Sequence, residues 1–225
     1  MKVALISYTE EPEKKVAAAA RLCYSPIGAQ EILDDLDQAA AENFLRKLIA
    51  LGHLSPLEHV SFTFAIEGVS RVLSHQIVRH RIASYSQKSQ RYVSEHEFEY
   101  VIPPAVKNNP AALAVYKEKM AVIARAYSEL AEMVPKEDAR YLLPSACETK
   151  FVCTFNARSL LNFFEHRCCQ RAQWEIRGLA KEMLRRVQAV APTMFEKAGA
   201  TCDVYGICYE GKMSCGRVEN IITRG

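Results

Sequence analysis

Apolar and polar residues alternate with a period of two in several parts of the chain, and this period is typical of half-buried β-strands. The clearest case is residues 61–67, where Phe62 and Phe64 alternate with polar neighbours. Weaker or shorter patterns predict further strands at 2–8, 98–102 and 151–155.

Apolar residues at intervals of three or four predict helices in most of the remaining chain. The predicted helices cover residues 12–22, 32–51 with a break near Asp37, 69–78, 110–134, 136–143, 157–167 and 173–191. Asn109 and Asn156 each stand directly before a predicted helix, where an asparagine side chain can cap the first turn. The apolar stripe over 116–134 indicates packing against a core or against another subunit.

Length and composition fit a soluble globular protein. A chain of 225 residues with 49% hydrophobic and 24% charged residues fits one domain with a full core, or at most two small ones. Its net charge of +3 is too small to imply nucleic-acid binding by itself. The apolar start is too short for a signal peptide, and no apolar run approaches the ~18 residues of a membrane span. We therefore expect a cytoplasmic protein with no membrane partner.

Neither the cysteines nor the histidines form a clear metal motif. The tail, residues 202–225, carries Cys202, Cys208 and Cys215, which are one ligand short of a structural zinc site unless a histidine or a neighbouring subunit completes it. Two histidines and a glutamate lie in 53–59, but their spacing does not match the HExxH arrangement. We predict no metal site and expect the tail to be flexible.

The densest group of hydrogen-bond donors lies in residues 79–91. Arg79-His80-Arg81 is followed by hydroxyl and amide residues and then by Arg91, with no carboxylate among them. Planar guanidinium groups suit phosphate oxygens, and hydroxyls and amides suit the remaining acceptors of a multiply charged anion. Composition alone leaves a solvated basic loop open as the alternative.

Four blocks of sequence together carry a stronger signal than the basic cluster alone. In chain order they are His53-x4-Glu58-His59 with Phe62-Thr63-Phe64; Arg79-His80-Arg81-x7-Ser89 with Ser84-Tyr85-Ser86-Gln87 inside it; Asn156-Ala157-Arg158-Ser159-Leu160 with Asn162-Phe163; and Gln173-Trp174-Glu175. These blocks, in this order, resemble the flavin-dependent thymidylate synthases, the thymidylate synthases that use FAD. The resemblance extends over most of the chain.

The resemblance implies a fold, an assembly and a reaction. The fold is α+β, here one domain over residues 1–225 with a small mixed or antiparallel sheet flanked by long helices, assembled as a homotetramer with active sites shared between subunits. The reaction is the conversion of dUMP to dTMP, with methylenetetrahydrofolate as carbon donor and NADPH-reduced FAD as hydride donor, and it releases tetrahydrofolate. No cysteine attacks the uracil ring in this family. The chain has no GxGxxG after its first strand, which excludes a Rossmann cofactor site.

The resemblance also implies the site residues. The FAD-binding residues are Ser55, Arg79, His80, Arg81, Ile82, Gln87, Asn156, Arg158 and Asn162. The dUMP-binding residues are Gln76, Arg79, Gln87, Ser89 and Arg91 from one subunit, with Arg140 and Arg167 from another. Arg167 approaches the uracil and is the expected catalytic residue, because its charge can stabilise charge that develops on the ring. His53 lies beside the flavin and folate pocket.

Two positions depart from some relatives. Gln87 stands where some relatives carry glutamate, so no role that needs a carboxylate passes to it. His166 stands where some relatives have an apolar residue, which leaves both packing and catalysis open for it.

Two other classes of function remain open from the residues themselves. A nucleic-acid-binding module could use the basic cluster with Tyr85 and Tyr92 as stacking groups, and would carry no chromophore. A nucleotide- or folate-binding protein would bind dUMP without turnover. The four blocks favour the enzyme, with dUMP, folate and NADPH as partners and no nucleic acid.

Overall fold

A computed structural model describes residues 1–93, 95 and 97–223. Within these residues the strands are Lys2–Tyr8 (β1), Ser61–Ser70 (β2), Ala83–Gln87 (β3) and Glu148–Asn156 (β4). The α-helices of the same residues are Pro12–Leu22 (α1), Ala29–Asp35 (α2), Gln38–Ala50 (α3), Arg71–Ile77 (α4), Pro104–Lys107 (α5), Pro110–Ala131 (α6), Lys136–Ala139 (α7), Ala157–Arg167 (α8), Trp174–Gln188 (α9) and Thr201–Tyr205 (α10). Short 3-10 turns lie at Ser55–His59, Arg140–Leu142 and Gly211–Met213.

The strands form one sheet in the order β1-β2-β4-β3. Ala157 N donates to Val60 O across 3.1 Å before the start of β2 and after the end of β4. At the other end of this strand pair, Arg71 N donates to Cys147 O across 3.1 Å, so β2 and β4 are antiparallel. The predicted α+β class with a small antiparallel sheet is confirmed, and the tetramer stays a prediction.

Local sequence signals explain where several elements begin and end. The side chains of Asn109 and Asn156 accept hydrogen bonds from Ala112 N at 3.2 Å and Ser159 N at 2.8 Å, which confirms both predicted caps. The helix predicted over 32–51 is interrupted at Asp37 as expected, because this aspartate caps α3.

One predicted strand is wrong, and one strand was missed. Residues 98–102 form only an isolated bridge between Tyr100 and Cys147, because Pro103 and Pro104 follow and have no N–H to extend the ladder. The missed strand is β3, which lies inside the basic signature. Its alternation is short and polar: Tyr85 and Gln87 are half-buried, whereas the serines between and before them are exposed.

The described residues form two compact units. The first unit takes its described residues from Met1–Lys2, Ile66–Arg79 and Ser86–Val152. One buried hydrophobic cluster of this unit consists of Phe98, Met120 and Cys147. Tyr116 and Ile123 from the predicted stripe pack against this cluster, which confirms a core role for part of the stripe. On the same helix, Val115 and Val122 are exposed.

The second unit takes its described residues from Val3–Ala65, His80–Tyr85 and the chain from Cys153 onward. Its core is rich in aromatic rings, which contact one another edge-on or tilted in a continuous network of Phe62, Phe155, Phe163, Phe164 and Phe195. Phe163 and Phe164 lie on α8 and are fully buried. This network fixes the face of α8 that is turned to the core, and so determines which residues α8 presents elsewhere.

The C-terminal segment contains α10, the 3-10 turn Gly211–Met213 and two isolated bridges, Cys208 with Ile221 and Glu210 with Thr223. Its flexibility stays a prediction, and its last two residues lie outside the described residues. No helix in the described part of the chain is both long and apolar enough to span a membrane.

Candidate active site

A direct contact joins two of the predicted site residues in the second unit. Arg167, the last residue of α8, donates from Nε to Nε2 of His80 across 3.0 Å. A guanidinium group is always a donor, so the imidazole accepts through Nε2 and carries its proton on Nδ1. The His80 ring also packs edge-on against Phe163, with 4.9 Å between ring centroids. His80 therefore has a fixed position and a fixed tautomer.

The same surroundings keep His80 uncharged. Burial lowers the pKa of His80 from 6.5 to about 4, and the positive charges of Arg167 and His166 act in the same direction. At neutral pH the imidazole is thus a neutral acceptor that orients the Arg167 guanidinium without cancelling its charge.

His166 and Asn162 lie one turn apart on α8, and both are exposed. Nδ1 of His166 lies 2.8 Å from the backbone oxygen of Asn162. This contact orients the His166 ring along its own helix. It leaves both packing and catalysis open for His166.

The corner between β4 and α8 holds two more predicted residues. Asn156 uses its side-chain oxygen to cap α8, which leaves its NH₂ group to donate elsewhere. Arg158, the second residue of α8, forms an ion pair with Glu58 of the 3-10 turn that Ser55 begins. Glu58 appeared in a sequence block, but its partner was not predicted. The two residues are 100 positions apart, so only the fold reveals the pair.

A cleft of about 730 Å³ opens within the second unit and includes Arg158 and Asn162 in its wall. Its other lining residues are Leu54 and residues of α3, of α8 and of the chain after residue 192, and they include Arg46, Lys197, Tyr205 and Tyr209. Cations beside aromatic rings suit an anionic ligand that also has flat, apolar parts. The volume is in the usual range for a site that binds a small molecule or a cofactor.

The remaining predicted residues of this unit lie at the surface. His53 is exposed directly after Gly52, which ends α3 with a φ of 74°. Arg81 and Ile82 are exposed in the segment before β3, and Ile82 is 73% accessible. An isoleucine this accessible is available for contact with a flat ligand or another protein surface.

In the first unit, two predicted phosphate ligands meet at one glutamate. Arg91 donates from Nε to a carboxylate oxygen of Glu137 across 2.9 Å, and its terminal nitrogen lies 2.7 Å from the same oxygen. Arg140 donates to the backbone oxygen of Glu137 across 3.0 Å. Sequence reasoning missed Glu137, which lies 46 residues from Arg91. Arg91 and Arg140 of one chain thus both contact Glu137, and the contribution of Arg140 to the nucleotide site from another subunit stays a prediction.

The other predicted residues of this unit lie on α4, just after α4, or in the segment of residues 87–91. Gln87 donates to the Thr149 hydroxyl across 3.1 Å, and the Ser89 hydroxyl accepts from Arg91 N at 3.2 Å. Gln76 contacts only the backbone of its own helix in the bonds described, and Arg79 is exposed just after α4.

A buried network supports this segment, and sequence reasoning missed it too. Arg71 donates to the backbone oxygen of Lys88 across 3.0 Å, and Lys88 forms an ion pair of 2.7 Å with the buried Glu95. Burial lowers the pKa of Arg71, and the nearby Arg140 charge adds to that effect, while Cys147 and Glu95 oppose it. The network places the positive charges of Arg71 and Lys88 at the segment of residues 87–91.

Comparison with known proteins gives a family for this fold and these motifs. The sequence profile of the family described as "Thymidylate synthase complementing protein" matches residues 4–193. A flavin-dependent thymidylate synthase from Clostridium tetani is 51% identical over 238 residues, which cover 98% of this chain and 95% of the relative. One from Geobacter sulfurreducens is 52% identical over 224 residues, covering 98% and 96%. One from Saccharolobus solfataricus is 43% identical over 207 residues, covering 90% and 78%.

The chain therefore belongs to the family of flavin-dependent thymidylate synthases. The resemblance inferred from the four sequence blocks is confirmed.

Proposed function

We propose that the protein converts dUMP to dTMP, with methylenetetrahydrofolate as carbon donor and tetrahydrofolate as product. The cofactor is FAD, which when bound and reduced by NADPH supplies the hydride that completes the methyl group. Membership of the family carries this proposal. The residues of the chain bind, orient and stabilise charge around these reactants.

Arg167 is the catalytic residue of this proposal. Its guanidinium donates to a neutral His80, which fixes its orientation and contributes no charge of its own. Charge develops on the ring as the new carbon bond forms, and a fixed cation beside it lowers the barrier. No thiol is needed as nucleophile. Burial raises the pKa values of Cys147, Cys153 and Cys168 to about 11, 12 and 11, which keeps these thiols protonated at neutral pH.

The dUMP phosphate is bound by guanidinium groups of two subunits, Arg91 from one and Arg140 from another. Arg91 and Arg140 both contact Glu137, and a phosphate can replace this carboxylate as the partner of Arg91 because the pair is half-exposed. Arg79, Gln76, Gln87 and Ser89 complete the nucleotide site through donors to phosphate and sugar oxygens. The support is their shared chemistry and the buried network that holds residues 87–91.

FAD is bound by residues that combine positive charge with amide donors. They are Ser55, Arg79, His80, Arg81, Ile82, Gln87, Asn156, Arg158 and Asn162, and His53 lies beside the flavin and folate pocket. The fit is chemically reasonable, since Arg158 and Asn162 line a cleft of about 730 Å³ and Arg81 and Ile82 are exposed. Arginine suits the diphosphate, and exposed apolar surface suits the flat rings.

The assembly proposed here is a cytoplasmic homotetramer with active sites shared between subunits, each chain forming one domain over residues 1–225. Exposed apolar residues on α6, including Val115 and Val122, support contact with another subunit. Light scattering after size-exclusion chromatography measures the assembly. A mass near one chain of 25.3 kDa would contradict it.

The test of the function is dTMP formation by the wild type and by Arg167→Ala. We expect the wild type to form dTMP only when FAD, NADPH and methylenetetrahydrofolate are all present. Arg167→Ala should lose at least ~100-fold in turnover, the usual effect of removing one charge-stabilising group, while it retains bound flavin. Arg177→Ala is a matched control, because Arg177 donates to backbone oxygens elsewhere on the same unit. Loss of FAD from Arg167→Ala would show that Arg167 belongs to the cofactor site instead.

A further inference from the structure

Three cysteines that are far apart in the sequence belong to the second unit, and contacts between nearby residues connect the segments that carry them. Cys169 follows α8, Cys202 lies in α10, and Cys215 follows the 3-10 turn Gly211–Met213. All three are free thiols; Cys215 is exposed and the other two are half-buried. They lie outside the residues assigned above to dUMP, FAD and folate.

An ion pair connects a residue next to Cys202 with a residue near Cys215. Arg217 donates to a carboxylate oxygen of Asp203 across 2.6 Å. Asp203 is the residue after Cys202, and Arg217 is two residues after Cys215. The pair therefore connects the segment that carries Cys215 to α10.

A second set of contacts brings the loop after α8 to the same place. Arg171 donates to the backbone oxygen of Met213 across 2.8 Å, and its Nε lies 3.6 Å from a carboxylate oxygen of Glu210. Arg171 is two residues after Cys169, and Met213 is two residues before Cys215. Both sets of contacts involve the segment around Cys215: one connects it to α10 and the other to the loop after α8.

The charges around the thiols agree with this geometry. Burial raises the pKa of Cys202, and Asp203, Cys169 and Cys215 add to the increase, while Arg217 opposes it. Cys215 also interacts electrostatically with Arg217. Cys215 is the exposed member of the pair, so it is the thiol that an oxidant in solution reaches first. Cys202, the more buried of the two thiols, is suited to react second, as the resolving thiol that forms a disulfide with the oxidised Cys215.

The cluster is suited to thiol oxidation rather than to metal binding. Over the described ranges, no group of three or more histidine, cysteine, aspartate or glutamate side chains is arranged to hold a metal ion. An exposed thiol with a resolving thiol beside it is the usual arrangement of a cysteine pair that responds to peroxide.

We propose that Cys215 and Cys202 are a peroxide-responsive pair that forms a reversible disulfide. The Cys215 thiolate attacks hydrogen peroxide, which gives a sulfenic acid at Cys215 and releases one hydroxide, protonated to water. The Cys202 sulfur then attacks the Cys215 sulfur, displaces the hydroxyl group as a second water and forms the S–S bond. Two thiols are oxidised by two electrons in total, and the peroxide is reduced to two waters. A dithiol reductant reverses the reaction.

The disulfide would change the wall of the 730 Å³ cleft. Tyr205 and Tyr209 lie between the two cysteines in sequence, and both line the cleft together with Arg158 and Asn162. Closing the segment 202–215 with a covalent bond restricts the positions of these tyrosines. An effect on FAD binding would rest on the proposed function, whereas formation of the disulfide does not.

Peptide mapping of the full-length protein tests the proposal directly. The reduced protein is treated with a few equivalents of hydrogen peroxide, remaining thiols are alkylated, and the protein is digested with trypsin without reduction. Trypsin places Cys169 in peptide 168–171, Cys202 with Cys208 in 198–212, and Cys215 in 213–217. We expect peptides 198–212 and 213–217 to appear as one linked species that dithiothreitol separates.

Single substitutions assign the linked sulfurs. The linked species should vanish in Cys202→Ser and persist in Cys208→Ser, the matched control for the second cysteine of the same peptide. Cys215→Ser should remove it as well. A link between 168–171 and 198–212, a link that persists in Cys202→Ser, or oxidation of Cys215 to sulfinic acid without any link would overturn the proposal. None of these readouts depends on FAD or on dTMP formation, so the proposal and the proposed function fail independently.

Discussion

Replacing His80 with glutamine tests the neutral state of this histidine. A glutamine side chain keeps an acceptor for Arg167 near the position of Nε2, but it does not titrate between pH 4 and 8. The difference between the wild type and His80→Gln therefore measures the effect of protonating this one side chain on the free energy of unfolding. The other five histidines of the chain are the same in both proteins.

The structure sets the sign and size of the effect. In the unfolded chain the imidazole has a pKa near 6.5, whereas in the fold the pKa is about 4. Between these values the unfolded state binds a proton that the native state does not, so lowering the pH from 7.5 to 4 destabilises the native state. A shift of this size corresponds to ~3 kcal/mol, and screening of a half-buried group reduces it to ~1.5 kcal/mol.

Urea unfolding at several pH values between 7.5 and 4 measures this difference. Trp174 is the single tryptophan of the chain and lies in the second unit with His80, so its fluorescence reports the relevant transition. The wild type should lose ~1.5 kcal/mol more than His80→Gln over this range. Parallel curves for the two proteins, or an imidazole resonance of His80 that titrates near 6.5, would refute a buried neutral histidine.

Three further results are expected from side chains at the site. Asn156→Ala should lower the free energy of unfolding by ~1 kcal/mol through loss of the α8 cap, and Asn156→Asp should restore most of it, as thermal denaturation can measure. Glu137→Gln should change the free energy of unfolding by less than ~1 kcal/mol, because the ion pair of Glu137 with Arg91 is half-exposed. Titration should nevertheless show tighter dUMP binding, since the substitution releases the Arg91 guanidinium from this carboxylate. Unchanged or weaker binding would argue against Arg91 as a phosphate ligand. The double substitution Arg79→Ala, Arg81→Ala should remove the visible absorption of bound flavin, and stoichiometric FAD in the purified variant would argue against both assignments.

Elements that depend on neighbouring residues were predictable from the sequence. The caps at Asn109 and Asn156 and the break at Asp37 follow from side chains that bond to backbone groups three residues away. The strand at β2 follows from regular alternation. In contrast, β3 is short and polar, and it forms a strand because it pairs with β4, which lies far along the chain.

The same division holds for the candidate site: the motifs indicated the residues, whereas the contacts between them depend on the fold. Motif resemblance indicated His80 and Arg167, but their contact joins residues 87 positions apart and depends on how α8 packs through Phe163. The carboxylates Glu58 and Glu137 were not predicted as partners of Arg158 and Arg91, because nothing in the local pattern ties one to the other. The neutral state of His80 likewise depends on burial and on the Arg167 charge, which only the fold brings near.

The central claim, that this chain is a flavin-dependent thymidylate synthase, is tested most directly by visible absorption spectroscopy. The spectrum of the purified protein is recorded anaerobically while NADPH is added, with and without dUMP. We expect the bands of oxidised flavin, and we expect NADPH to bleach them faster when dUMP is present, because both sites then act together. A colourless protein that also fails to take up added FAD would contradict flavin-dependent thymidylate synthesis by this chain.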